Sequence, residues 1–361
     1  MTDPFSDSYG EARGRFIAAA SRAGGSVKSY VNPKAHGPRG GSLCMETAVF
    51  GPPDAEKALL ILSGTHGQEG YTGSAGQLAF MGSQAFADRD PSIRILLIHA
   101  LNPYGFAYDT RVNENNVDLN RNFVDFSAAL PRNEGYAEIH SLICPDEWTE
   151  ECRSETIFRD RINGDRFTEW MNAINAGQYQ EPTGFGFGGT QREWSNETLE
   201  AILAAELSGI RKLGFIDWHT GLGGYGEPFF LCFNEQGGPD WERACQWWGR
   251  ERVDTQSGFD GAPRPQYSGL VFQGVQKFVA PAEMTGAVIE FGTGPILEIF
   301  DWHRRDRWLR FGTGPDDAEM RTRFRKGVRD ALFPTDPEWR RSVLTHAETI
   351  QAQALAGVAA W

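Results

Sequence analysis

The 361-residue sequence is poor in three features: cysteine, positive charge and long apolar runs. It has five cysteines, an odd number, and no two of them form a Cys-x-x-Cys pair. This pattern argues against a disulfide framework and a cysteine-rich zinc module, and it favours a reducing compartment. The five are Cys44, Cys144, Cys152, Cys232 and Cys245.

The net charge of −13 and the lack of a dense lysine and arginine run argue against nucleic-acid binding, because such a chain repels phosphate backbones. No apolar stretch approaches the roughly 20 residues that span a membrane. The polar, acidic residues 1–7 have neither the basic start nor the apolar segment of a secretory signal. We therefore expect a cytoplasmic protein with no membrane or nucleic-acid partner, and nothing in the pattern indicates an oligomeric state.

Nearly continuous apolar runs of strand length lie in the middle of the chain, at 58–62 and 93–100. Such runs are typical of buried parallel strands. Shorter apolar runs follow at 214–218 and 287–291. Short strand-like pieces come first, at 26–30 and 44–50, and helical segments are found at 11–23, 74–86, 196–212, 238–252 and 316–361. The alternation of strands and helices predicts an α/β fold.

Residues suited to binding and catalysis follow the ends of these strands. His66 follows the first strand, Asn102 and Arg111 the second, and His219 the third, while Glu290 lies near the end of the fourth. In open α/β sheets, ligands bind beyond the carboxyl ends of the strands. We expect these side chains to meet at one edge of the sheet.

Three of these positions suggest a metal site. His66 and Glu69 are three residues apart in a Gly-rich turn, and His219 stands before a Thr-Gly turn. Catalytic zinc takes three ligands from His, Glu and Asp and keeps a fourth position for water. The sequence therefore predicts a zinc site formed by the two histidines and the glutamate, although such ligands also suit cobalt or manganese.

The alternative is that these histidines are structural, because a His-x-x-Glu pair also arises by chance. His99 ends a strand as well and offers a different third ligand in place of His219. Its position inside the apolar run 95–101 favours a core histidine instead.

An acid within an apolar strand has a desolvation cost and needs a partner. Glu290 closes such a run, and a nearby metal would keep its carboxylate charged and able to accept a proton from water. The alternative for Glu290 is an ion-paired structural glutamate.

The string Asp-Leu-Asn-Arg-Asn-Phe at 118–123 is the most specific motif in the chain. Asn120 and Arg121 together can hold a carboxylate, and Arg111 provides a second cation ten residues before Arg121. Such a group can polarise a scissile carbonyl and stabilise its oxyanion. The alternative is a turn held by a surface salt bridge.

Four segments together resemble the zinc carboxypeptidase superfamily, which includes carboxypeptidase A-like peptidases and the succinylglutamate desuccinylase and aspartoacylase branch. They are Thr-His-Gly-Gln-Glu at 65–69, Val-Asp-Leu-Asn-Arg-Asn-Phe at 117–123, Trp-His-Thr at 218–220 and Ile-Glu-Phe-Gly at 289–292. Their order is that of the family, and the chain is most similar to an uncharacterised bacterial branch of it.

The resemblance implies a three-layer α/β/α fold with a mixed, mostly parallel, eight-stranded sheet and one zinc ion. It also implies a single catalytic domain over residues 1–361. In that domain, the N-terminal segment 1–50 and the helical tail 316–361 pack on a motif core at 58–300.

The resemblance further assigns roles by position. His66, Glu69 and His219 become the zinc ligands, and Glu290 becomes the general base. Arg111 becomes the arginine that polarises the carbonyl, and Asn120 with Arg121 binds the terminal carboxylate of the substrate. The peptidases also use a mobile tyrosine about two dozen residues before the base, for which Tyr267 is the candidate and Tyr225 a competitor.

The expected function is hydrolysis of an amide bond next to a free carboxylate, by water that zinc activates and Glu290 deprotonates. The substrate is a peptide for a metallocarboxypeptidase, or an N-acyl amino acid for a deacylase, and the third alternative is a non-catalytic zinc- or carboxylate-binding module. Aromatic residues either line an apolar pocket for larger substrates or belong to the core. They are Phe185, Phe187, Trp194, Phe229, Phe230, Trp247 and Trp248.

Overall fold

The structure of the chain is a computed structural model that describes residues 3–154, 156–157, 166–254, 266–313 and 318–361. Its strands are β1 (Ser26–His36), β2 (Ser42–Phe50), β3 (Lys57–Ser63), β4 (Arg94–His99), β5 (Lys212–Tyr225), β6 (Pro228–Leu231) and β7 (Glu283–Gly292). The first helices are α1 (Tyr9–Arg22), α2 (Gly70–Met81), α3 (Gln84–Ala87), α4 (Pro103–Tyr108), α5 (Glu134–Ile143) and α6 (Arg166–Ala176). The later helices are α7 (Trp194–Glu206), α8 (Pro239–Trp248), α9 (Arg250–Val253), α10 (Val271–Phe278), α11 (Ile296–Phe311), α12 (Ala318–Leu332) and α13 (Pro337–Ala360). Short 3₁₀ turns cover Gly67–Glu69, Leu119–Arg121 and Glu150–Cys152.

One mixed sheet runs through the described residues in the order β1-β2-β4-β3-β5-β7-β6. The pairings β4-β3, β3-β5 and β5-β7 are parallel, and the outer three pairings are antiparallel. The expected parallel middle of the sheet is therefore confirmed. The described sheet has seven strands, one fewer than the eight that the resemblance implies.

Helices cover both faces of the sheet, which confirms the three-layer α/β/α architecture. In β3, Leu59 and Ile61 pack in the core cluster that contains residues of α1, α2, α8 and α13. Leu60 and Leu62 pack in the opposite cluster, with residues of α7 and α10. Successive residues of a strand point to opposite faces, so a strand buried on both sides is apolar throughout.

Trp218 on β5 anchors the strand that carries His219. It is buried and stacks on Phe291 of β7, with ring centroids 5.4 Å apart. Its neighbours Asp217 and His219 point to the other face because side chains alternate along a strand. The core below the sheet and the site at its edge therefore share one segment of backbone.

The turn after β3 also depends on close packing. A Cβ atom added to Gly67 would overlap the backbone of Gly105 in α4. Only glycine permits this approach, and it lets the turn Gly67–Glu69 lie against α4.

Helix α11 was not among the predicted helices, although residues 296–311 form more than four turns. None of the described helices combines the length and the apolar composition that crossing a membrane would require.

Candidate metal centre

Three side chains from two strand ends meet in a small buried cluster. The Nδ1 atom of His66 lies 3.0 Å from Glu69 Oε1 and 3.1 Å from Nδ1 of His219. Glu69 Oε2 lies 3.1 Å from the same nitrogen of His219. The structure thus brings the three predicted ligands together, within reach of one ion.

The local backbone explains how they meet. His66 has an extended conformation and stands at the N-cap of the 3₁₀ turn that ends at Glu69, so one short turn presents both side chains. His219 comes from β5, where the preceding Trp218 pairs with Ser63 at the end of β3. Adjacent parallel strands therefore deliver the local pair and the distant histidine to the same edge.

In each histidine, the ring nitrogen Nε2 lies within hydrogen-bond distance of a carboxylate. The Nε2 atom of His66 lies 3.2 Å from Asp118 Oδ1, and Nε2 of His219 lies 3.0 Å from Asp217 Oδ2. If each Nε2–H donates to its carboxylate, each Nδ1 keeps a free lone pair. Two such lone pairs 3.1 Å apart repel each other unless a proton or a metal ion lies between them, so with both rings neutral the donor set fits a metal ion.

Neither Asp118 nor Asp217 was predicted to contribute to the site. The signal for Asp217 was its position two residues before His219 on a strand, which places both side chains on one face. Asp217 is fully buried and also accepts hydrogen bonds from Thr65 Oγ1, at 2.9 and 3.0 Å.

Charges within the cluster stabilise its buried acids. Burial alone would raise the pKa of Glu69, but His66 and His219 hold it well below its usual range. Burial also opposes ionisation of Asp118, and Arg111 and His66 hold its pKa well below the usual range as well. Both acids are therefore carboxylates at neutral pH.

Glu290 faces the cleft beside this cluster, as the direct partner of His219 in the pairing of β5 and β7. It remains partly open to the cleft, and its Oε2 accepts a long hydrogen bond of 3.4 Å from the backbone N–H of Leu222. Burial and the negative charge of Glu69 raise the pKa of Glu290 to about 6. A carboxylate with such a pKa can exchange a proton near neutral pH.

Arg111 lies at the other side of the cluster. Its Nε donates to Asp118 Oδ2 at 3.0 Å, and its guanidinium lies 3.5 Å from Glu69 Oε1. Asp306 of α11 fixes the loop, because its carboxylate accepts hydrogen bonds from Thr110 Oγ1 at 2.7 Å and from the backbone N–H of Arg111 at 3.1 Å. Arg111 is thus a cleft cation whose charge two acids already balance.

Asn120 and Arg121 lie in a buried 3₁₀ turn, not in a surface turn, so the surface alternative for this motif is wrong. Asn120 Oδ1 accepts a hydrogen bond of 2.9 Å from the backbone N–H of Val271. Arg121 donates to the backbone carbonyls of Asn120 and Asn175, at 2.6 and 2.8 Å. Burial lowers the pKa of the Arg121 guanidinium, and none of the carboxylates that the structure describes forms an ion pair with it.

His99 is a core histidine, as its apolar run favours. It is fully buried, its ring stacks on Phe16 with a centroid distance of 4.9 Å, and its Nε2 lies 3.1 Å from Ser74 Oγ. It therefore does not replace His219 in the cluster.

Of the two candidate tyrosines, Tyr267 lines the cleft, with its ring 5.3 Å from the guanidinium carbon of Arg121. Tyr225 is half-exposed and lines a separate surface cleft next to Trp302. Of the seven aromatic residues suggested as pocket lining, only Phe185 belongs to the described wall of the cleft. Phe187, Phe230, Trp247 and Trp248 are instead buried in core clusters, in agreement with the core alternative.

His303 lines the cleft and was not predicted as a site residue. Its Nδ1 lies 3.4 Å from Gln68 Nε2, and burial together with the charge of Arg111 lowers its pKa to about 3. The signal was the spacing of Ile296, Phe300 and His303, which places them on one face of α11.

The cleft that joins these groups has about 970 Å³ of space unfilled by atoms, including its opening to solvent. Its charged groups gather around His66 and Glu69, and much of the remaining wall is apolar. The arrangement can hold a divalent ion, position a base beside it and receive an anion at Arg121.

Comparisons with known proteins agree with this architecture. A family model described as "Protein of unknown function (DUF2817)" matches residues 5–346. No curated protein matches the chain.

Among solved structures, bovine thrombin-activatable fibrinolysis inhibitor in complex with tick carboxypeptidase inhibitor is similar, with 13 % identity, a TM-score of 0.52, and coverage of 100 % of this chain and 99 % of that chain. Carboxypeptidase A from Helicoverpa armigera has 14 % identity and a TM-score of 0.51 over 100 % of this chain and 75 % of that one. At such identity the likeness shows the fold alone, and it confirms the predicted carboxypeptidase-like fold.

Proposed function

The chain belongs to the DUF2817 family, and from its carboxypeptidase fold and its His-Glu-His cluster we propose that it is a zinc-dependent hydrolase. The proposed reaction is cleavage of an amide bond next to a free carboxylate, as in a metallocarboxypeptidase. The observation that carries the proposal is the mutual approach of His66, Glu69 and His219 to 3.0–3.1 Å, with Glu290 beside them in an open cleft.

The ligands in this proposal are Nδ1 of His66, Nδ1 of His219 and the carboxylate of Glu69. A bound zinc ion would supply Lewis acidity and would lower the pKa of water towards about 7. The two histidines are suited to the ion because Asp118 and Asp217 orient their rings.

Glu290 is the proposed general base. Its carboxylate takes the proton of the attacking water and then passes it to the departing amine. Arg111 is held in the cleft by Asp118 and Asp306, and it donates to the oxygen that gains negative charge in the transition state.

Arg121 and Asn120 are the proposed carboxylate anchor. The guanidinium is buried and carries no ion pair with a described acid, so an incoming carboxylate would be its counter-charge. A substrate anchored there would present its amide bond to the attacking water in a fixed orientation, which lowers the entropic cost of the reaction. Tyr267, next to Arg121, is the proposed aromatic contact of the bound substrate.

A metal assay and a turnover assay test the proposal together. We expect purified protein to hold about one zinc ion per chain and to hydrolyse an N-blocked dipeptide or an N-acyl amino acid. The Glu290→Gln variant should keep the metal and lose turnover by at least about 1,000-fold.

Glu298→Gln is the matched control, because Glu298 is exposed and lies outside the cleft. Wild-type turnover by Glu290→Gln would reject the proposed base. Metal binding without turnover of any substrate would favour the non-catalytic alternative.

A further inference from the structure

One wall of the cleft is apolar, and it begins directly beside the proposed base. Val288 and Glu290 are two residues apart on β7, so their side chains face the same side of the sheet. Leu231 of β6 pairs with Val288 across the antiparallel ladder, and Phe233 follows two residues later. All four side chains line the cleft.

The same wall reaches the proposed carboxylate anchor. Tyr267 packs edge-on against Phe233, with ring centroids 5.7 Å apart, and its ring lies 5.3 Å from the guanidinium carbon of Arg121. Leu270 also lines the cleft, and the backbone of the next residue is bonded to Asn120. A group attached to a carboxylate held by Arg121 can therefore lie against this wall.

Among the described residues of the cleft, Arg121 is the cation that remains available to a substrate carboxylate. Arg111 is balanced by Asp118 and Glu69, whereas Arg121 has no ion pair with any acid in the described parts of the chain. The five side chains of this wall, Leu231, Phe233, Tyr267, Leu270 and Val288, are uncharged at neutral pH, and the charged groups next to it are the proposed base Glu290 beside Val288 and Arg121 beside Tyr267. A charged substrate side chain placed there would lose its water without gaining a partner, which is costly.

We propose that the substrate of this site carries one carboxylate and an uncharged, apolar side chain, aliphatic or aromatic, on the residue that bears that carboxylate. The inference rests on the proposed function and narrows it. A peptide ending in an apolar residue and an N-acylated apolar amino acid both satisfy it. Substrates whose carboxylate-bearing residue has an acidic or a basic side chain do not.

Binding to the zinc-loaded Glu290→Gln protein tests the inference without turnover. Titration calorimetry with phenylalanine, leucine, aspartate and lysine should show the two apolar amino acids binding at least about 100-fold more tightly than the two charged ones. Equal affinities, or tighter binding of aspartate or lysine, would overturn the inference.

Turnover by the wild-type protein gives the second measurement. In a series of N-blocked dipeptides that differ only in the last residue, kcat/KM for phenylalanine and leucine should exceed that for aspartate and lysine by at least about 100-fold. If the protein hydrolyses all four equally, the inference fails while the proposed function stands. If it hydrolyses none, yet Glu290→Gln still selects phenylalanine, the proposed function fails while the inferred selectivity of the site stands.

A charged substitution in the apolar wall should change the preference between apolar and charged amino acids. Leu231→Asp places an acid opposite Val288, and the ratio of lysine to phenylalanine binding should rise at least about tenfold. The milder Leu231→Asn variant, with no charge, is the control and should weaken phenylalanine binding without favouring lysine. An unchanged ratio in a folded Leu231→Asp protein would overturn the assignment of this wall.

Discussion

His219 and Glu290 are register partners on adjacent parallel strands, so the sheet itself sets the separation between a candidate metal ligand and the candidate base. Both belong to strands whose interiors are buried on both faces. Their relative position therefore depends on backbone hydrogen bonding and not on a mobile loop. Arg121 and Asn120, by contrast, reach the cleft from a 3₁₀ turn between elements.

Zinc should stabilise the folded protein. The ligand atoms face one another in the fold, and an ion that binds the folded state alone adds about 2.7 kcal/mol when its concentration is about 100 times its Kd. Thermal unfolding with zinc and with a chelator measures this difference. His66→Gln should abolish the zinc-dependent shift and His346→Gln, away from the cluster, should keep it; a shift that survives His66→Gln would contradict the site.

Asp217→Asn should weaken zinc binding by about 10- to 100-fold, because an amide is a poorer acceptor for the N–H of His219. Competition with a chelating indicator gives the affinity. The exposed Asp125→Asn is the control. If Asp217→Asn bound zinc with unchanged affinity, the hydrogen bond between His219 and the Asp217 carboxylate would not be needed for zinc binding.

Activity should rise with pH as Glu290 loses its proton. Burial and the charge of Glu69 raise the pKa of Glu290 to about 6, and a bound cation would move the transition to lower pH. The base works only when it is ionised, so kcat/KM should increase with pH through a transition at or below about 6. A pH profile at saturating zinc measures it, and activity that falls with rising pH across this range would exclude Glu290 as the base.

Arg121→Lys should lower kcat/KM by about 10- to 100-fold, since an ammonium group does not reproduce the bidentate grip of a guanidinium on a carboxylate. The loss should disappear when the substrate ends in a neutral amide. Arg192→Lys, whose partner Glu200 lies outside the cleft, is the control. An equal loss for acid and amide substrates would argue that Arg121 is structural.

Gly67→Ala should destabilise the protein by about 1–3 kcal/mol, because the added Cβ overlaps the backbone of Gly105. Gly14→Ala, in the middle of α1 with open space around the glycine, should instead stabilise by about 0.5–1 kcal/mol. Urea denaturation of both variants checks the contrast. If Gly67→Ala left the free energy of unfolding unchanged, the turn would be able to move away from α4.

The elements that the sequence predicted best are those with strong local patterns. The apolar runs of β3, β4, β5 and β7 indicated a buried sheet, and His66, Glu69 and His219 followed from their places at strand ends. The structure brings these three together, as expected from the geometry of parallel strands.

What the sequence did not predict depends on contacts between distant residues. The role of Asp118 requires His66 and Arg111 to lie on either side of it, and no local pattern contains that information. Helix α11 was not predicted because its buried arginines and aspartates, such as Arg304 and Asp306, mask its apolar face. The short strand β6 was likewise not predicted, because it follows from its pairing with β7 rather than from a local apolar run.

The stack of Trp218 on Phe291 gives the core a direct influence on the chemistry of the cleft. Because Trp218 lies between Asp217 and His219 in the chain, a change that tilts its indole would shift the backbone that carries that carboxylate and that imidazole. Variants selected for altered metal preference or reaction rate should therefore include substitutions deep under the sheet, at positions that touch no ligand.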